Sequence, residues 1–167
     1  MGSRMRRGKP AEGFTYFGVI FAVAVIGMSL AVVGFVARTE LRREKEVQLL
    51  WVGNQYRTAI ARYWAENGGR LPQSLSELTQ AQLTNGMNRR YLRRLYEDPI
   101  TGTMDWNLYS LPGGGIYGVS SASKEVPIKQ HNFRSADASF EGVQCYSDWQ
   151  FLIVSNRFVA GGAKHRC

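Results

Sequence analysis

Hydrophobic and polar positions fall into three successive patterns along the chain. Residues 14–37 carry no charge and are apolar on every side. Residues 38–67 are polar at first; from Leu49 onward they place Leu49, Val52, Tyr56, Ala59, Ile60, Tyr63 and Trp64 at three-to-four spacing, the stripe of a helix lying on a core. Residues 68–167 break into short apolar runs punctuated by glycine and proline. As a helix, the 24 residues of the first pattern extend about 36 Å, enough for a hydrocarbon core of roughly 30 Å. The second pattern continues it without proline and with charges at helical spacing, Glu40 four residues before Glu44 and Arg42 four before Glu46. Asn67-Gly68-Gly69 supplies the stop, because glycine tolerates the left-handed conformation of a helix end. One helix from about Phe14 to Asn67 is expected, followed by a globular head.

The head reads as α+β. Leu71-Pro72-Gln73-Ser74 leads into a short helix with Ser74 as cap and Glu77 three residues later, as in a capping box. A second short helix is expected over 89–95. Asp98-Pro99-Ile100-Thr101-Gly102 is a turn. Trp106-Asn107-Leu108-Tyr109-Ser110-Leu111 and Ile116-Tyr117-Gly118-Val119-Ser120 flank Pro112-Gly113-Gly114-Gly115 and predict a hairpin, and residues 149–155 predict a third strand. Three antiparallel strands packed on the long helix make a small core, since so few strands need a helix to be stable.

Ahead of the apolar run, Arg4, Arg6, Arg7 and Lys9 crowd a short leader that ends at Gly13, and basic residues stay on the cytoplasmic side of a membrane. A secretory signal is cut after its apolar region; here the small residue lies before it. Gly13-Phe14-Thr15 and the run that follows resemble the type IV prepilin signature. That resemblance implies cleavage between Gly13 and Phe14 by a prepilin peptidase, methylation of the new amine on Phe14, and retention of the hydrophobic helix for filament assembly. In the head, Arg70-Leu71-Pro72, Asp98-Pro99, Gly115-Ile116-Tyr117-Gly118-Val119 and Tyr146-Ser147-Asp148-Trp149-Gln150-Phe151 are similar to type II secretion pseudopilins related to the G-type subunit. The likeness implies a pilin-like fold divided as leader 1–13, transmembrane assembly helix 14–37, periplasmic amphipathic helix 38–67 and head 68–167. The implied place is the bacterial inner membrane, crossed once, with the head in the periplasm. The implied partners are other pseudopilin subunits, the peptidase and an inner-membrane assembly platform. Other readings of the same features are a minor type IV pilin of pilus assembly or DNA uptake, and an uncleaved single-pass anchor.

The family carries a glutamate as fifth mature residue, where this chain has Gly18. A carboxylate in hydrocarbon needs a partner, which the family finds in a neighbour's free amino terminus. Gly18 implies either a subunit at the filament tip or docking by packing alone, with Gly18, Gly27 and Gly34 allowing close helix approach; the other reading is that these glycines only loosen the helix.

Charge, cysteines and catalytic residue types refine this picture. The net charge is +8, of which the leader supplies +3. Much of the rest lies in Arg89, Arg90, Arg93 and Arg94, which on a helix form one basic face beside Tyr91 and Tyr96. Such a patch attracts phosphate backbones, but without a nucleic-acid motif it is read as a solvated face or an intersubunit salt contact. Cys145 and Cys167 suit an oxidising compartment. They either stay free or close a loop, as in the disulfide-bounded C-terminal region of the type IV pilins the chain resembles, with a gain of roughly 3 kcal/mol. His131 and His165 fall in polar stretches, no nucleophile has a motif partner, and the glycines at 113–115 are not followed by a helix, so no enzyme is expected. Related G-type subunits bind calcium, but Asp137, Glu141 and Asp148 do not match the EF-hand spacing and are read as a solvated loop, with no cofactor or metal assigned.

Overall fold

The computed structural model describes residues 13–82 and 88–153, with side chains over 16–29, 38–80 and 88–153. The chain divides into two units after Leu41. Helix α1 runs Gly13–Glu66, within one residue of the expected bounds. Its end is fixed as the sequence requires: the Asn67 and Gly69 N–H groups donate to the carbonyls of Tyr63 and Trp64, and Gly68 and Gly69 both hold positive φ, 64° and 82°.

In the second unit, the α1 stripe is buried. Leu49, Val52, Tyr56, Ala59 and Ile60 pack into one cluster with Leu78, Leu92, Trp106, Ile116, Val119, Phe140, Tyr146, Trp149 and Phe151. The fold is α+β, the long helix lying on a small three-stranded antiparallel sheet. Strands β1 (Ala81–Gln82) and β2 (Asn88–Arg89) form a separate antiparallel pair. The hairpin is β3 (Trp106–Ser110) and β4 (Ile116–Ser121), paired Trp106↔Ser121 to Tyr109↔Gly118, with a register shift between Tyr109 and Ser110. Strand β5 (Phe151–Leu152) completes the order β3-β4-β5 through Gly118↔Leu152 and Val119↔Phe151. Central β4 is buried along nearly its whole length, whereas β3, at the edge, leaves Leu108 exposed.

Several local expectations are corrected. Residues 89–95 form no helix: Arg89 is in β2, and the N–H groups of both Tyr91 and Leu92 donate to the Leu78 carbonyl, each at 2.9 Å. Those long-range bonds replace the i→i−4 ladder, and burial of Leu92 holds the bend in place. Residues Leu75–Leu78 are a single 3-10 turn, and Ser74, though extended as a cap should be, makes no side-chain cap bond; its hydroxyl meets that of Ser76 at 2.7 Å. Glu77 instead accepts the N–H of Gln73 and the hydroxyl of Tyr63. The third strand starts later than 149, because Trp149 and Gln150 follow directly on the 3-10 turn Tyr146–Asp148; residues from 154 onward lie outside the described residues. The Asp98 turn forms as expected, with Gly102 N–H donating to the Asp98 carbonyl at 2.8 Å.

Helix and sheet approach most closely at Gly53. A Cβ there would come within 2.3 Å of the Phe151 ring. That ring is fully buried, edge-on to Phe140 at 5.1 Å and beneath the Arg57 guanidinium at 5.5 Å, so it has nowhere to move. Gly53→Ala gains about 1 kcal/mol of helix propensity but overpacks this contact, a cost of about 1–3 kcal/mol. We expect a net loss of stability, read as a lowered midpoint in chemical denaturation.

Candidate functional site

Three features of the described chain have functional weight: the apolar part of α1, the polar contacts that tie the head to α1, and a group of arginines beside an exposed tryptophan.

In the first unit, every residue of 16–29 is exposed, with Tyr16, Phe17, Phe21 and Met28 each about 70% exposed. The only side-chain hydrogen bond described here is local, Ser29 Oγ to the Val25 carbonyl at 2.8 Å. An uncovered apolar surface of this extent calls for a lipid or protein environment. A Cβ added at Gly18 or Gly27 would meet nothing within 4 Å, so neither glycine is required by contacts inside the chain. Gly13 and Phe14 are the first residues of α1; the leader before them lies outside the described residues, and so do the surroundings of Gly34. Among the described residues no helix is long and apolar enough to cross a membrane; described side chains of the expected span stop at Ser29 and resume at Arg38.

The head is fastened to α1 by buried polar groups that the charge pattern alone did not single out. Glu46 is 3% exposed, and its carboxylate accepts the backbone N–H groups of Ile128 and Lys129 and the Tyr146 hydroxyl at 2.8 Å. One turn earlier, Arg42 donates to Glu125 at 2.7 Å and to the Val126 carbonyl. Arg57 and Asp137 form an ion pair at 2.7 Å with side chains 14% and 5% exposed; Asn54 donates to the second Asp137 oxygen. Tyr56 clamps the peptide group of Tyr96, accepting its N–H at 2.9 Å and donating to its carbonyl, which also accepts Trp106 Nε1–H. A signal for Glu46 was present in the sequence: it precedes Leu49 by three residues and so lies on the buried stripe.

These contacts settle where the weighed ligands lie. Asp137 is buried and paired, not part of a solvated loop, because Arg57 and Asn54 take its oxygens. Glu141 is exposed, and Asp148 is half-buried with one carboxylate oxygen lacking a hydrogen-bond partner. Among the described residues no group of three His, Cys, Asp or Glu is placed to hold a metal. His131 is exposed, and His165 lies outside the described residues. Cys145 is fully buried and disulfide-bonded; Cys167, its expected partner, lies outside the described residues.

The four arginines do not share a helix face. Arg89 pairs with Glu66 at 3.1 Å, and the Arg94 guanidinium lies over the Tyr96 ring at 5.3 Å. Arg90 and Arg93 are exposed and, with Arg62 of α1, line a cleft that also contains Trp51. Sequence reasoning missed Trp51 and Arg62, which fall off the buried stripe and look like ordinary surface positions.

No family model matches the chain, and no curated protein or solved structure matches it.

Two predictions follow from the polar contacts. Asp137→Ala strands a largely buried guanidinium, and loss of one partner of a buried pair costs about 3–5 kcal/mol; Arg57→Met with Asp137→Leu should recover much of it, as measured by urea unfolding. Burial, helped by the hydrogen bond to Glu46, pushes the Tyr146 hydroxyl from its usual 10.0 up to about 12. Above pH 10 the unfolded chain releases this proton while the folded head keeps it, so stability is full below pH 10 and falls as pH rises toward 12. Tyr56 and Tyr109 are raised by burial in the same direction. Unfolding midpoints measured across that interval should therefore decline, and decline less steeply in Tyr146→Phe.

Proposed function

We propose that the protein is a structural subunit of a filament of the type II secretion kind, a pseudopilin-like protein anchored and assembled through the apolar part of α1. The observation that carries this reading is the uncovered apolar stretch at 16–29, opening immediately after Gly13-Phe14 in the element that also supplies the buried stripe of the head. Such a stretch serves equally as a membrane anchor before assembly and as a packing surface between subunits afterwards. The head supports this reading, because an α+β unit whose long helix completes the core is the arrangement that a pilin-like subunit would need.

In this reading, a prepilin peptidase removes residues 1–13, Phe14 becomes the methylated amino terminus, and the helix passes from the inner membrane into the filament at the assembly platform. Gly18 leaves no carboxylate to meet a neighbour's amine, so docking relies on apolar packing, or the subunit occupies the tip. A minor type IV pilin would share the same processing and scaffold.

The deciding measurement is the intact mass of the protein extracted from membranes. The expected mass corresponds to a chain beginning at methylated Phe14; a protein still carrying residues 1–13 would instead be a plain single-pass anchor. Gly13→Leu places a bulky side chain beside the scissile bond and should block processing while membrane insertion continues. Normal maturation of this variant would exclude the junction as the cleavage site.

A further inference from the structure

The cleft between α1 and the bent segment after β2 has an internal charge imbalance. Its volume is about 590 Å³, and its walls include Trp51, Gln55, Arg62, Arg90, Tyr91 and Arg93, with no carboxylate among the lining residues. Elsewhere in the head three guanidinium groups are matched, Arg42 by Glu125, Arg57 by Asp137 and Arg89 by Glu66, while Arg43, Arg70 and Arg134 stand apart from one another in the sequence without an ion pair among the described residues. Arg62, Arg90 and Arg93 have no ion-pair partner among the described residues. Among the lining residues is Trp51, 52% exposed and set edge-on against Tyr96 with ring centroids 5.4 Å apart. Tyr96 is itself fixed by Tyr56 through both its N–H and its carbonyl, so the tryptophan rests on a rigid backing.

We infer that this cleft is a docking site for an acidic segment of another protein, in which two or more carboxylates flank one aromatic or large aliphatic side chain. Arginine forks match carboxylates in a two-pronged geometry, and exposed tryptophan and arginine are the residue types that carry most of the energy at protein interfaces. The positive surface is also short. Toward the end of α1 it meets Glu66, held by Arg89 and Tyr91; toward Lys45 and Gln48 the adjoining groove contains Glu97. A continuous phosphate backbone needs an unbroken basic track and would run into these carboxylates, whereas a compact acidic cluster fits between them. The docking site stands independently of how the apolar part of α1 is used, since every residue in it belongs to the head unit.

The test uses the full-length protein in detergent at low salt, with a fluorescein-labelled Glu-Asp-Phe-Glu-Asp-Leu peptide followed by anisotropy. The acidic peptide should bind at least about tenfold more tightly than Gln-Asn-Phe-Gln-Asn-Leu. Trp51→Ala and the pair Arg90→Gln with Arg93→Gln should each weaken it by about the same factor. Gln55→Glu, which adds a carboxylate to the cleft, should weaken it as well, and Arg43→Gln, outside the cleft, should not. Equal binding of the two peptides, no binding of either, or an equal loss in Arg43→Gln would overturn the assignment. Displacement by oligothymidylate at lower concentration than the peptide would reassign the cleft to nucleic acid. Tighter binding of a peptide spanning residues 38–48 of this chain would make it a contact between copies.

Discussion

The head depends on the packing of one helix face against a sheet too small to stand alone. Three strands, one of them two residues long, cannot enclose a core. The face of α1 bearing Leu49, Val52, Tyr56 and Ile60 closes it, and Gly53 lets the backbone approach Phe151 where any side chain would hold it away. The polar contacts then fix the register. Glu46, Tyr56 and Arg57 lie along the same helix, and each reaches a different part of the head: Ile128, Lys129 and Tyr146; the backbone of Tyr96; and the 3-10 turn Ser135–Phe140. Because the hydrogen-bond partners are buried or nearly so, sliding α1 by one turn would leave several unsatisfied at once, a cost of about 1–3 kcal/mol for each. Apolar packing supplies the driving force; the polar set selects one alignment.

The parts legible in the sequence were those governed by periodicity and by glycine or proline. The stripe from Leu49 to Ile60, the stop at Gly68 and Gly69, the Asp98 turn and the β3–β4 hairpin each follow from a local rule, and each is where it was expected. What was illegible was decided by partners distant in sequence. Residues 89–95 have the composition of a short helix, but the Leu78 carbonyl captures two of its N–H groups and β1 captures its first residue, Arg89. Helix propensity over so short a window is a few tenths of a kcal/mol per residue, less than the burial of Leu92 and two backbone bonds provide. Asp137 looked like a solvated acid because its counter-charge lies 80 residues earlier, at Arg57.

The same distinction separates the two halves of α1. In 16–29 the apolar residues surround the helix and no described partner covers them; in 46–60 Leu49, Val52, Tyr56, Ala59 and Ile60 keep to one side and are buried, while Val47 and Trp51 stay exposed. A uniform apolar surface carries no rotational preference, whereas a one-sided stripe fixes which face of the helix meets the sheet. A Cβ at Gly18 or Gly27 would meet nothing within 4 Å, so neither glycine is held by a contact inside the chain.

Charge pairing explains why four neighbouring arginines serve different ends. Arg89 is tied to Glu66 at the end of α1, and that pair, with Tyr91 donating to the same carboxylate, pins the start of the bent segment to the helix. Arg94 spends its charge on the face of Tyr96, whose backbone is already clamped. Between these two anchors Arg90 and Arg93 are held up by a backbone they do not themselves stabilise. The backbone beneath them is therefore fixed while their charge stays unpaired, and each exposed side chain still gives up about 0.5–1.5 kcal/mol of rotamer freedom on meeting a carboxylate. Had the segment been a helix, all four would have shared one solvated face and repelled one another at i,i+4 spacing; the bend converts that repulsion into two structural contacts and leaves Arg90 and Arg93 exposed beside the cleft.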